Sequence, residues 1–340
     1  MSTENIQLSE LRSLLVNYFS TWQSSALAEI SASTVIDTAL HKDSRMSPLS
    51  DLGKDLALFN ERGRPSVSVL KAMPAVEMWH FNGAPGVCHI ASLLSRAADI
   101  AKTAGIGVIG FKNTGGVHQL SQYVEELTKQ GLVSFFMWNG GSYTTVPFGS
   151  TEPYFGTNPI GYGIPTSGNP LVADFSTSQI PFLDLRIALA NDTEVPPGSG
   201  MDVDGLESTD PHRIYDAAGD DMVRLRPLGG GPKGSALMLL VEVLTGALVG
   251  AKMARTASDD PFIPEEFGGL FIVFNPEAFG TQDSFAAEVG EMADQIRSSK
   301  AAPGVDQIRL PGDAAFARGQ AVSASGEIDV AADLLTLLRG

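Results

Sequence analysis

The chain has 340 residues, of which 43% are hydrophobic and 18% charged, with a formal net charge of −16. That length buries a substantial core and leaves room for a cleft, while so acidic a surface repels a polyanion and argues against nucleic-acid binding. The single cysteine, Cys88, excludes an internal disulfide or a cysteine-based zinc site and fits a reducing cytoplasm.

The opening MSTENIQLSELRSLLVNYF carries acidic and polar residues where an export signal would place positive charge ahead of an apolar block. Leu8, Leu11, Leu14, Leu15 and Tyr18 recur at helical spacing, and SASTVIDTALHKD offers a second capped segment, so an amphipathic helical arm is expected at the start. A loop-rich passage is expected from Ser44 to Pro74. After it, ASLLSRAADIAKTAG reads as a helix, IGVIGFK as a strand, QYVEELTKQG as a helix and LVSFFMWN as a strand. A Gly- and Pro-punctuated run of short strands reaches LVADFSTS, and residues 186–226 read as surface excursions dense in turn formers. SALMLLVEVLTGALVGAKM contains Glu242 and falls short of the roughly 20 clean apolar residues that span a bilayer, so it reads as a buried core helix. The strand GLFIVFN follows, and EIDVAADLLTLLRG is expected to be a final amphipathic helix. The expected organisation is a helical region over 1–70 that packs with 327–340, an α/β cofactor-binding and catalytic body over 71–310, and a return segment over 311–340.

Several motifs carry chemistry. GIGVIG, Gly105 to Gly110, satisfies a G-x-G-x-x-G pattern, but a helix precedes it and a strand follows, the reverse of a dinucleotide fingerprint. These glycines read as a helix cap and a strand entry. PLGGGPKGSALM brings a glycine run, Lys233 and Ser235 to the start of a helix, which suits a phosphate or else is a flexible loop with Ser235 as N-cap. It is not a Walker loop, because Lys233 precedes its glycine. VADFSTSQI puts Asp174 at a strand end ahead of three hydroxyl residues, either a ligand position or an Asp capping its own turn. DVDG at 202–205 lacks the remaining calcium ligands and reads as a turn. His41, His80, His89 and His212 sit singly, without metal-ligand spacing, and no G-x-S-x-G elbow is present.

Taken in order, AGIGVIGFKNTGG, GLVSFFMWN, VPFGSTEPYFGTNPIGYGIP, VADFSTS, VPPGSGMDVDGLESTDP, PLGGGPKG and IRLPGD resemble the malate/L-lactate dehydrogenase family that does not use a Rossmann fold. Its members include ureidoglycolate, sulfolactate and diketogulonate dehydrogenases and reductases of cyclic imino acids such as piperideine-2-carboxylate. The resemblance implies an α/β fold with a helical N-terminal arm, a homodimer, and NADH or NADPH as cofactor. It implies a cofactor wall of Thr157, Asn158, Phe175, Ser176, Thr177, Ser178, Pro232, Lys233, Gly312 and Asp313, with Asp174 in the active site.

The chain departs from the family where proton transfer is expected. Relatives carry an Asn-Ser-Asn-His segment, and an ungapped alignment of Asn113 and Gly131 sets Gly116 at that histidine, with His118 two residues on. They also carry a Ser-His-Gly segment followed by an arginine, where this chain has KDSRMSPLSDL. Ser44 and Arg45, or Ser47 and Pro48, take that place, and neither choice restores the histidine. His118, read as a helix-start residue, is either a hydrogen-bond donor or a bystander, and Arg45 is a fixed cation able to anchor a carboxylate. A ketone needs a proton donor for the alkoxide formed by hydride addition, whereas a C=N substrate can enter already protonated. The expectation is therefore an NAD(P)H-dependent reductase of an imino acid or related C=N substrate. The alternatives are a 2-hydroxy/2-oxo acid dehydrogenase with substituted catalytic residues, or a redox-inactive family member serving as partner subunit or turned to non-redox chemistry.

Overall fold

The computed structural model describes residues 3–41, 48–140, 143–253 and 267–340. Strand β1 (Thr3–Gln7) leads into α1 (Leu8–Phe19), α2 (Ser25–His41) and α3 (Pro48–Glu61). Leu11, Leu15 and Phe19 of α1, Ala28, Ala32 and Val35 of α2, and Leu49, Leu52, Leu56 and Phe59 of α3 bury one common cluster. The passage expected to be loop-rich therefore contains α3, whose apolar residues recur at i, i+3, i+7 and i+10 and hold one helical face to the core.

Next come β2 (Ser68–Ala72), β3 (Val76–His80), α4 (Ile90–Ala104) and β4 (Ile106–Thr114). Gly105 ends α4 in the left-handed region at φ 82°, so GIGVIG is the helix cap and strand entry that the sequence suggested. Then follow α5 (Ser121–Thr128), β5 (Val133–Trp138), β6 (Ile160–Ile164) and β7 (Leu171–Phe175). Residues 182–214 supply α6 (Phe182–Asn191), β8 (Gly200–Met201), β9 (Glu207–Ser208) and α7 (Pro211–Ile214). These are more than surface excursions. Leu185, Ala188, Val195, Ile214 and Leu225 give them a small core of their own, and Asp202 makes the expected turn by accepting from the N–H groups of Asp204 and Leu206.

Helix α8 (Pro232–Glu242) runs into one π turn, Val243–Ala247, and the next described strand is β10 (Phe267–Phe274). The chain closes with α9 (Gln282–Arg297), α10 (Asp313–Ser325), β11 (Glu327–Ala331) and α11 (Ala332–Arg339). The seven-stranded sheet has the order β2-β3-β4-β10-β5-β6-β7 and is antiparallel except for the β3–β4 pair. On one face, α4 and α5 bury Leu93, Leu94, Ala97, Tyr123 and Val124 against Ile109, Phe111, Phe136 and Phe271. This mixed α/β architecture is the fold class expected from the sequence.

Two expectations about the later elements need correction. EIDVAADLLTLLRG is not one helix, because its first five residues form β11, paired antiparallel with β1 from Thr3↔Ala331 to Gln7↔Glu327. Only α11 packs on the arm as a helix, through Leu334, Leu335 and Leu338. Nor is α8 a buried core helix. Met238 and Val241 are fully buried, but Leu239, Leu240, Val243 and Leu248 are exposed by 52%, 51%, 43% and 64%.

Candidate active site

Strand β7 carries Asp174 to the rim of a cleft of about 590 Å³. Its carboxylate does not cap its own turn. Oδ2 accepts the N–H of Ser121, the first residue of α5, at 3.0 Å, so Asp174 caps a helix 53 residues away in sequence. Asp174 as a residue is exposed at the strand end, but desolvation at the cleft rim raises the pKa of its carboxyl above the usual carboxylate value, opposed by the N–H groups of Ser121 and Leu120. Its remaining surface is open to the cleft.

His118 lines the same cleft. It does not start a helix, as expected, but lies three residues ahead of α5 with a left-handed backbone at φ 59°. A non-glycine residue held there costs on the order of 1–3 kcal/mol and needs local support. Tyr123, fully buried, supplies it by donating its hydroxyl to the carbonyl of Val117 at 2.7 Å. His118 Nε2 lies 2.6 Å from Oδ2 of Asp55 on α3, which fixes the ring and leaves Nδ1 as its second polar atom.

A second imidazole–carboxylate pair faces this cleft. His41, the last residue of α2, has Nδ1 3.0 Å from Oε2 of Glu125 on α5. In the sequence His41 is one of four histidines that sit singly. No local signal marks the pair, since its members are 84 positions apart, although His41 at a helix C-terminus is a favoured place for a cation. Ser44 and Arg45 lie outside the described residues.

The expected cofactor residues fall into two connected groups. Thr157, Phe175, Ser176 and Gly312 line the cleft. Thr177 and Ser178 are buried and brace the wall, Thr177 Oγ1 donating to the carbonyl of Asn158 at 2.9 Å and Ser178 Oγ to that of Ile180 at 2.7 Å. Asn158 is buried with φ 41°, its Nδ2 donating to Glu242 Oε2 at 2.8 Å while its Oδ1 has no partner among the described residues. Asp313 begins α10 and is paired with Arg297 at 2.7 Å, which holds its carboxyl below the usual range. It also accepts the N–H of Leu310, tightening the turn that presents Gly312 to the cleft.

The glycine loop attaches directly to this wall. Leu228 N–H donates to Thr177 O at 2.8 Å, and Gly229 N–H donates to Gln179 Oε1 at 2.7 Å. Gly229 and Gly230 take φ 71° and 64°, and α8 starts from Gly231 with Pro232 in its first turn and Lys233 exposed beside it. Ser235 is not the N-cap. Its hydroxyl accepts from Phe148 N–H at 3.1 Å, and the first turn of α8 has no side-chain cap. A helix start without a side-chain cap and beside a lysine offers N–H groups and a cation of the kind that can hold phosphate, and the loop's hydrogen bonds to Thr177 and Gln179 join it to the strand end that lines the cleft.

Residues 7–339 match the malate/L-lactate dehydrogenase family. The chain belongs to that family. It is 34% identical over 253 residues to a Δ1-pyrroline-2-carboxylate/Δ1-piperideine-2-carboxylate reductase of Pseudomonas syringae pv. tomato, covering 72% of this chain and 68% of the relative. It is 30% identical over 266 residues to the L-sulfolactate dehydrogenase of Methanocaldococcus jannaschii, covering 76% and 73%. The crystal structure of the Δ1-piperideine-2-carboxylate reductase from P. syringae pv. tomato superposes with a TM-score of 0.77 at 28% identity over 99% of both chains. The family is one of nicotinamide-dependent oxidoreductases, and this member is placed among them as an enzyme.

Proposed function

We propose that the protein is an NAD(P)H-dependent reductase of a cyclic imino acid. The observation that carries this reading is the anionic cleft wall, in which Asp174 and Asp184 line the substrate space beside His118. A carboxylate at that position favours a positively charged iminium and disfavours the alkoxide that grows on a ketone. A reduced nicotinamide bound in the cleft would supply the hydride. Asp174, fixed by the N–H of Ser121, holds negative charge beside the C=N group. Hydride addition to an iminium yields a neutral amine, so that step requires no proton from the protein. His118 and Asp55 then handle the proton that the released amine acquires. The loop from Gly229 to Lys233 would hold the cofactor's phosphates, and Phe175, Ser176 and Gly312 its nicotinamide end.

The similarity to a pyrroline- and piperideine-2-carboxylate reductase supports the same reading. The test is a substrate panel with NADH and NADPH at neutral pH. Faster turnover of Δ1-pyrroline- or Δ1-piperideine-2-carboxylate than of 2-oxo acids is expected, and the reverse order would refute the proposal. We further propose a homodimer, supported by the exposed apolar row Leu239, Leu240, Val243 and Leu248 along α8 and its continuation.

A further inference from the structure

We propose that Arg318 on α10 anchors the substrate's carboxylate; this inference rests on the imino-acid reading. Arg318 is the one lysine or arginine among the described residues lining the cleft. Its Nε and Nη2 both donate to the carbonyl of His41, at 3.1 and 2.8 Å. That fork fixes the guanidinium plane on the last carbonyl of α2 and leaves Nη1 without a protein partner among the described residues. Of the carboxylates lining the same cleft, Glu125 is paired with His41 and Asp174 caps α5, so the exposed Arg318 guanidinium presents Nη1 to an incoming anion.

The surroundings give this end of the cleft a second polar contact. The His41 ring lies against the backbone of α10, where a Cβ on Gly319 would come within 2.5 Å of it. Phe316 meets the ring edge-on at 5.0 Å, and Glu125 takes Nδ1. Nε2 of His41 faces α10 at Gly319, the residue after Arg318, and has no protein partner among the described residues. Arginine and imidazole together form a two-point site for a carboxylate, while Asp174 and His118 attend the C=N group. A small, planar 2-imino acid presents these two ends.

The experiment compares the wild type with Arg318→Gln, which removes the charge but can still donate to the His41 carbonyl. Three ligands are used: Δ1-piperideine-2-carboxylate, its carboxylate-free counterpart 1-piperideine, and the unreactive pyrrole-2-carboxylate. Arg318→Gln is expected to raise KM for the imino acid about 10- to 100-fold with little change in kcat, as for loss of a charge-assisted hydrogen bond. Turnover of 1-piperideine and the Kd for NADH and NADPH should not change, and Arg318→Lys should recover part of the loss. An equal loss with both imines, or weakened cofactor binding with unchanged pyrrole-2-carboxylate binding, would overturn the assignment. If the wild type reduces neither imine, pyrrole-2-carboxylate binding to the cofactor-loaded protein decides separately. Binding that Arg318→Gln abolishes would retain the anchor and refute only the imino-acid reading, whereas binding indifferent to the substitution, or none, would overturn the anchor. Should Arg318→Gln not fold, Arg318→Lys is read with the same ligands, and an unchanged preference for the carboxylate-bearing imine would count against the proposal.

Discussion

Asp174 and His118 share a cleft but obey opposite constraints. Asp174 has its pKa raised by desolvation, so folding favours its protonated form. The sign follows from linkage: the native state binds this proton more tightly than the unfolded chain, so stability is greatest below the unfolded pKa and is lost as pH rises through the folded value. Asp174→Asn, which can still accept from Ser121 N–H, should therefore melt at a higher temperature than the wild type at pH 7 and lose that advantage in acid, while imine reduction falls. Calorimetry across pH, set beside rate measurements, checks both. His118 carries a different prediction. Asp55→Asn frees its ring, and the loss should be on the order of 100-fold for any residual 2-oxo acid reduction but far smaller for an iminium substrate, which needs no proton at the hydride step. Equal losses with both substrate types would assign the pair to structure alone. The sequence showed Asp174 and His118 as candidates because each sits in a recognisable motif. It could not show Asp55, Glu125 or Arg318, since these become neighbours of the cleft only when α3, α5 and α10 pack around the end of α2.

Among the elements, the glycine loop and α8 meet without clearance. A Cβ on Gly234 would stand 2.0 Å from the carbonyl oxygen of Leu228, so the helix start fits its loop only as glycine. Gly234→Ala must displace the loop, at an expected cost of about 1–3 kcal/mol by overpacking, and reduced-nicotinamide fluorescence should show cofactor affinity falling with it. Beside Gly312, Arg297 and Asp313 tie α9 to α10. The pair holds the Asp313 carboxyl low, so its contribution is present above the unfolded pKa and is lost as pH falls through the folded one. Arg297→Met should lower the melting temperature at pH 7 and much less in acid, as a melting series would show. Helices α4 and α5 and strands β4, β5, β7 and β10 were legible because apolar periodicity and glycine caps agree with their tertiary setting. Strand β1 was not, because TENIQ buries only Ile6 and its pairing partner lies more than 300 residues away. Helix α3 did leave a signal in Leu49, Leu52, Leu56 and Phe59, obscured by the proline, glycine and aspartates around them.

For the whole molecule, the exposed row on α8 predicts assembly. Leu240→Glu should convert the proposed homodimer into a monomer in sedimentation velocity, with the secondary structure preserved, and an unchanged oligomeric state would count against the row as an interface. The fold class followed from the order of motifs along the chain, but the surface of α8 did not, because a helix apolar on most sides looks the same in sequence whether a core or a second subunit covers it. The clasp of β1 with β11 has a consequence for synthesis. The apolar faces of α1, α2 and α3 are completed by α11, and the sheet's central strand β10 enters between β4 and β5 from residues 267–274. The first sixty residues to leave the ribosome therefore cannot finish their own core until some 270 more have been made. Throughout elongation they present unsatisfied hydrophobic surface to chaperones, and the nascent chain should stay protease-sensitive until its last helix emerges.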